Sequence, residues 1–325
     1  MKIFIPTPSF QPHGGVRVIC EWANQLSRRG HKVLIYSLKK DKCNWFTFDN
    51  EVVVAEDDKE LRNCDVLIIT SPHSIHYQDR VDRPKKIFVF VQMLEHLFNP
   101  KDRNWFLLCK KFYTSSHPTF VISSWNKHIM LTHFKASQKI HYIGNGVNTE
   151  MFPFESKKKE NIILVEGFQP INISKDKDMI SAKVCEVLKK RNYKIISYGM
   201  SEPTKKRSLI DKFFVKPDLK TLNQIYNDSK IMIKSSIYDA RSCAPMEAMT
   251  KSTVTVRAIE YGDDDLIHEF NCLRCDYNED HLLNNVERLL EDEELRNQIA
   301  YNGVEYLKEF SWSFWFDRIN KIITE

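Results

Sequence analysis

Hydrophobic and polar positions in the first half of the chain alternate between two periods. Short apolar runs at residues 2–6, 32–37, 51–54, 65–70, 86–92, 119–123 and 139–143 predict strands. Between them the spacing lengthens. Val16, Ile19, Cys20, Ala23 and Leu26 share one helical face, and Arg17, Glu21, Gln25 and Arg28 fall off it. Strands alternating with helices predict parallel sheets, because neighbouring parallel strands need a crossover long enough to carry a helix.

Near residue 152 the pattern breaks. Phe152, Pro153, Phe154, Glu155 and Ser156 lead into Lys157, Lys158 and Lys159, which predicts a solvated linker over 153–160. The alternation then resumes, with strands expected at 161–166, 193–199, 213–215, 230–234 and 253–256 and helices at 175–190, 219–227 and 245–250. From Glu279 onward the chain reads as helical, with an aromatic cluster at Phe310, Trp312, Phe314, Trp315 and Phe316. The prediction is an α/β protein of two tandem domains, 1–152 and 161–309, and 325 residues suit two cores better than one.

Composition narrows the function classes. A 42% hydrophobic and 28% charged chain with 9 glycines is globular, neither disordered nor fibrous. A formal charge of +5 suits an anionic small substrate or surface and falls short of a nucleic-acid binder. No apolar run reaches the roughly 18 residues of a membrane span, and the strand-like Lys2–Ile5 start lacks the succession of a signal peptide. Eight scattered cysteines predict a reducing, cytoplasmic setting. Cys272 and Cys275 form a lone CxxC without the further ligands a zinc site needs. Neither the G-x-G-x-x-G of a dinucleotide-binding enzyme nor a P-loop sequence is present.

Ligands of open parallel sheets bind at the carboxyl ends of the strands, so the loops there are where chemistry is sought. Pro12-His13-Gly14-Gly15 follows the first strand; two glycines admit a ligand close to the backbone, and a tight strand-to-helix turn is the plain alternative. Lys175 opens a predicted helix, where it can reach a diphosphate or simply be solvated. Asp239 and Glu247 bracket a loop and a short helix begun by Ser242, Cys243, Ala244 and Pro245, which places Asp239 in the loop and Glu247 on the helix. The first can accept a sugar hydroxyl and the second both hydroxyls of a ribose, although two acids eight apart are more often merely solvated. Gln92, Glu95 and His96 end an apolar strand, as a cleft-facing group or a surface turn. His73 and His76 have HxxH spacing with no carboxylate arranged beside them, and the plain reading prevails. Trp105 to Leu108, ringed by Lys101, Lys110 and Lys111, reads as packing against its own domain, with peripheral membrane contact as the alternative.

With these residues in place, the chain resembles the family 4 retaining glycosyltransferases. Ser235-Ser236-Ile237-Tyr238-Asp239-Ala240-Arg241-Ser242-Cys243-Ala244-Pro245-Met246-Glu247-Ala248-Met249 matches their P-S-x-x-E-G-F-G-x-x-x-x-E-A-M stretch in spacing. Gly14-Gly15, the Asn145-Gly146-Val147-Asn148 to Phe152 segment, Lys175 and Phe310-Ser311-Trp312 fall in the family's order over nearly the full length. The resemblance implies the GT-B fold: two Rossmann-like parallel-sheet domains facing across a cleft, with the last helix, 310–325, packed back on the first domain. It implies that Glu247 holds the ribose, Asp239 the donor sugar and Lys175 the leaving diphosphate. Gly14 and Gly15 would lie near the phosphate and reacting sugar, the backbone at Val215 would meet the base, and the Ser242 and Cys243 amides would touch sugar or phosphate.

Four departures bear on donor choice. The first acid of the motif is Asp239 in place of Glu, and Ala240-Arg241-Ser242 replaces Gly-Phe-Gly. Gln169 stands where the family has an arginine, so Arg241 is expected to supply the missing cation. Gln92 and Glu95 match a subset of the family that has this Gln-x-x-Glu in place of a catalytic histidine. The expected activity is transfer of a sugar, GDP-mannose being the favoured donor, to a glycan, lipid or glycoprotein, with neither metal nor other cofactor. Two rivals stand beside it: a nucleotide-sugar 2-epimerase of the same architecture and a non-catalytic nucleotide- or glycan-binding relative.

Overall fold

The structure, a computed structural model, describes residues 1–157, 159–166, 179–203 and 206–325. Its elements run β1 (Lys2–Thr7), α1 (Gly14–Ser27), β2 (Lys32–Ser37), β3 (Val52–Val54), β4 (Val66–Ile69), β5 (Lys86–Val91), α2 (Arg103–Tyr113), β6 (Thr119–Val121), α3 (Ser124–Thr132) and β7 (Ile140–Tyr142). They continue with β8 (Ile162–Glu166), α4 (Ile180–Lys190), β9 (Lys194–Gly199), β10 (Lys212–Val215), α5 (Leu219–Asp228), β11 (Ser229–Asp239), α6 (Cys243–Met249), β12 (Val254–Gly262), β13 (Cys272–Cys275), α7 (Glu279–Glu291), α8 (Glu293–Glu309) and α9 (Trp312–Thr324). The chain divides into two compact units, Met1–Gly146 with Trp312–Glu325, and Val147–Ser311.

Each unit is built on a parallel sheet, ordered β3-β2-β1-β4-β5-β6-β7 in the first and β10-β9-β8-β11-β12-β13 in the second. Both orders step outward from a central strand and then cross to its other side. The switch points therefore lie between β1 and β4 and between β8 and β11, where Rossmann-like sheets open a crevice. The apolar runs follow from this layering, because helices cover both faces of a parallel sheet. In the second unit Ile163, Val165, Ile231 and Ile233 join the cluster on one side of the sheet, while Ile162, Leu164 and Met232 join the cluster on the other.

Strands ended within a residue or two of expectation except at the centre of the second sheet. There β11 runs on to Asp239 and β12 to Gly262, paired through Tyr238 with Tyr261 and Asp239 with Gly262. The CxxC segment is a strand, β13, that the sequence reading did not anticipate. Its two cysteines face opposite sides of the sheet, Cys272 in one cluster and Cys275 against the other, so they do not chelate together.

Helix α9 belongs to the first unit. Arg29 at the end of α1 pairs with Asp317 at 2.6 Å, His31 Nε2 lies 2.6 Å from Asn320 Oδ1, and Phe316 stands edge-on to Trp22 with centroids 5.2 Å apart. Gly144 lets this helix close, since a Cβ there would lie 2.3 Å from the Trp315 ring. Segment 147–157 and Lys159 belong to the second unit, where Pro153, Phe154, Ser156 and Lys157 are exposed while Phe152, Glu155 and Lys159 hold the segment down. Phe152 is buried in its core, the Glu155 amide donates to Thr250 O at 2.9 Å, and Lys159 Nζ donates to Asn227 O at 3.0 Å and Thr253 Oγ1 at 2.9 Å. One lysine of the basic run thus caps the carbonyls at the end of α5, and burial pulls its pKa down to about 8.

Candidate functional site

The second unit gathers its charged side chains at the β8/β11 switch point. At Gly262 the backbone has φ +94°, and a Cβ would lie 1.5 Å from the Asp239 carbonyl oxygen, so only glycine lets the ends of β11 and β12 close here. The turn past Gly262 brings the Asp263 carboxylate under the α6 entrance. The Ser242 amide donates to Asp263 Oδ1 at 2.7 Å, and the Ser242 hydroxyl lies 2.8 Å from Asp239 Oδ2 and 2.9 Å from Asp263 Oδ2. Ser242 occupies the N-cap position of α6, but its oxygen serves these two acids rather than the helix. Asp239, expected in a loop, is the last residue of a strand.

Two buried cations hold the acids in place. Arg257, fully buried on β12, donates from Nε to Asp263 Oδ2 at 2.7 Å, with Nη2 3.6 Å from Asp239 Oδ2. Lys234 on β11 lies 2.5 Å from Glu166 Oε2 and 3.7 Å from Asp239 Oδ2. Burial opposes the Lys234 ammonium, but Glu166 and Asp239 outweigh it and hold its pKa above the ordinary value. Among the described residues, Lys234 and Arg257 thus face Glu166, Asp239 and Asp263. Carboxylate exceeds cation by one charge. Such a cluster offers lone pairs to hydroxyl groups and repels phosphate.

Glu247 lies on α6 and is 5% exposed. Its Oε2 accepts from the Tyr226 hydroxyl at 3.0 Å, and Tyr226 lies 2.8 Å from the Tyr198 hydroxyl. Burial first, then the Glu247 charge, pushes the Tyr226 phenol far above its ordinary range, so it stays a donor. Glu166 acts on the same phenol. Glu247 is thus held through Tyr226, and Asp239 shares Lys234 with Glu166.

Arg241 is placed differently from the expectation of a phosphate ligand. Its side chain is 1% exposed and ion-paired with Asp265, which also accepts from the Tyr306 hydroxyl. Burial raises the Asp265 pKa, and Arg241 opposes that rise. The guanidinium charge is held inside the unit. Val215 is the last residue of β10 and is 48% exposed at the carboxyl edge of the sheet, while Cys243 is half-buried at the start of α6. Lys175 and Gln169 lie outside the described residues.

The first unit has its own set at the α1 entrance. His13 caps α1, its Nδ1 accepting the Val16 amide at 3.4 Å, and burial lowers its pKa so that the ring stays a neutral acceptor. Gly14 and Gly15 form the first turn of α1, and the Gln92 side chain donates to Gly15 O at 3.1 Å. Three residues on, desolvation of the half-buried Glu95 carboxyl pushes its pKa up to about 8. Gln92 and Gly15 are thereby joined at the carboxyl end of β5, with Glu95 three residues further along the chain.

The Glu95 shift carries a stability consequence. Unfolded, this carboxyl ionises near 4.3, whereas folded it keeps its proton to about 8. The folded state binds the extra proton between those values, so its stability falls as pH rises through that window. The wild-type melting temperature is expected to drop from about pH 5 to about pH 8 more steeply than that of Glu95→Gln. Parallel melting curves against pH would remove Glu95 as a proton-holding group.

The sequence reading missed Lys234, Arg257, Asp263, Glu166 and Tyr226. A signal existed: Lys234 closes the apolar run Ile231-Met232-Ile233, and Arg257 interrupts Val254 to Ile259. A charge inside a buried strand must find a partner.

Two Rossmann-like parallel-sheet units with this topology define a GT-B protein. The sucrose-phosphate synthase of Thermosynechococcus elongatus is similar, with a TM-score of 0.80 at 13% identity, covering 99% of this chain and 98% of that one. A glycosyltransferase from Rickettsia africae matches with a TM-score of 0.74 at 17% identity over 99% and 97% of the two chains. HepE of Anabaena, solved with UDP-glucose, matches at 0.74 and 12% identity over 100% and 99%. At such identities the likeness is one of fold. No curated protein sequence matches the chain. Residues 174–306, within the second unit, match the family of glycosyl transferases group 1.

Proposed function

We propose that the protein transfers a sugar from a nucleoside diphosphate to an acceptor hydroxyl on a glycan, lipid or glycoprotein, with retention at the anomeric carbon and without a metal. The observation that carries this reading is a pair of held carboxylates in the second unit: Glu247 accepts from Tyr226 at 3.0 Å, and Asp239 lies 3.7 Å from Lys234 at the switch point of its sheet. In this reading Glu247 accepts the ribose hydroxyls and Asp239 a hydroxyl of the donor sugar. Lys175 neutralises the diphosphate, which the acid-rich cluster itself cannot do. Arg241 and Asp263 keep the loop between β11 and α6 in shape. The acceptor oxygen attacks the anomeric carbon on the face from which the diphosphate departs, and the acceptor proton passes to the leaving phosphate. Gln92 and Glu95 take part as well, Glu95 in its protonated form below about pH 8. Among the described residues no helix is long and apolar enough to cross a membrane. The eight free cysteines suit a reducing cytoplasm.

The test is calorimetric titration of a nucleotide-sugar panel headed by UDP-glucose, the ligand of the similar HepE structure, and GDP-mannose. One donor is expected to bind, and Glu247→Ala to weaken it about 10- to 150-fold, the worth of a hydrogen bond to a charged group. Release of the nucleoside diphosphate should require acceptor, and the product should keep the donor's anomeric configuration. A rearranged sugar nucleotide formed without acceptor identifies an epimerase, and binding without turnover a non-catalytic relative. Donor affinity indifferent to Glu247→Ala removes the site from this unit.

A further inference from the structure

We propose that the outer sides of α2 and α3, with the turn before α2, form a face that docks on an anionic phospholipid surface. The proposal concerns the first unit alone and does not depend on the transferase reading. Residues 96–146 carry six lysines and one arginine against a single acid, Asp102, a local charge of +6 in a chain whose total is +5. The rest of the chain is close to neutral, so the basic excess is concentrated here.

The packing expected of this stretch against its own domain is found for Trp105, Phe106 and Leu108, which lie on the core of the first unit. Leu107 is turned outward and is 52% exposed. Arg103 and Lys111, one turn to either side of it along α2, share its face. Helix α3 repeats the arrangement. Leu131 is exposed, with Lys127 one turn before it and Lys135 four residues after. Phe98, in the turn before α2, is exposed as well. Aromatic rings bring the three segments together. Phe106 of α2 lies 5.8 Å from Phe134, just past α3, and His96 stands edge-on to both, at 5.9 and 5.2 Å.

The cations around these leucines are mostly uncompensated. Lys111 is held by Asp79 at 2.6 Å, and Asp102 accepts the Trp105 amide at 3.0 Å where α2 begins. Lys101, Arg103, Lys110, Lys127, Lys135 and Lys139 have no ion pair among the described residues. Glu95 keeps its proton below about pH 8 and does not offset them at neutral pH. Charge of this sign fits the negative surface of an anionic leaflet, which gains about fivefold in affinity for each cation brought near it. The leucines add what a soluble polyanion cannot use, apolar groups that enter the acyl boundary. With 11 residues and its inner face occupied, α2 rests on such a surface rather than crossing it.

The test is co-sedimentation of the full chain with vesicles of phosphatidylcholine, alone or mixed with phosphatidylglycerol. Binding is expected to the mixed vesicles only, and is expected to be lost at about 1 M salt, where screening shortens to about 3 Å. Lys101→Ala combined with Lys110→Ala should weaken it about 25-fold. Leu107→Ser combined with Leu131→Ser should weaken it about tenfold. Both pairs lie on the exposed face, so circular dichroism and the melting curve should not change. Equal binding to the two kinds of vesicle, binding to neither, or wild-type affinity in the leucine variant overturns the proposal. So does a dimer in sedimentation velocity that Leu107→Ser dissolves, which would put a second copy on this face, or capture by heparin without capture by vesicles.

Discussion

Alanine in place of Lys175 is expected to lower the turnover number about a hundredfold, the scale on which a lost donor to developing negative charge is felt. The argument is electrostatic. At the second switch point Lys234 and Arg257 are already committed to Glu166, Asp239 and Asp263, and Arg241 to Asp265. A leaving diphosphate brings further negative charge to a place where carboxylate is in excess. The compensating cation must come from outside this cluster, and Lys175, inside the group 1 match that begins at residue 174, is the one we propose for it. Because the charge grows as the sugar–phosphate bond breaks, the loss should fall on kcat more than on KM. Steady-state kinetics with the donor found by titration decides it. A near-normal rate would remove Lys175 from that role.

The layered α/β design was legible because a parallel strand buried on both faces must be apolar throughout. Ile3 to Ile5 and Val66 to Ile69 are fully buried and advertise themselves in the sequence. The ends of β11 and β12 were not. Beyond Ile233 the sequence turns to Lys234, Ser235 and Ser236, and beyond Ile259 to Glu260 and Tyr261, so the apolar pattern fades while the ladder continues. What carries the strands further is charge satisfaction inside the unit, which no periodicity records. Glu247 and Asp239 could be singled out by spacing. Their neighbours Glu166 and Arg257 come from other strands, and only the sheet order brings them together. Ser242 shows the same limit: its position at a helix start was foreseen, but the use of its hydroxyl by Asp239 and Asp263 depends on Gly262 allowing β12 to close.

Arg257 is the residue on which that arrangement turns, and Arg257→Met is expected to cost about 3–5 kcal/mol of folding stability. Methionine fills much of the volume of the guanidinium side chain but leaves Asp263, 2% exposed at its side chain, without its 2.7 Å partner. Asp239 loses its 3.6 Å contact as well, so two buried carboxylates are left to repel each other across Ser242. At roughly 2–4 °C per kcal/mol the melting temperature should fall by about 10 °C. A second substitution separates charge from packing. Adding Asp263→Asn to Arg257→Met removes the uncompensated charge and should recover part of the loss, a non-additivity expected of partners in one network. If the single variant melts within about 2 °C of wild type, or the double variant is simply the sum of its parts, the acids are not held by Arg257. Asp239 would then be oriented by Lys234 and Ser242.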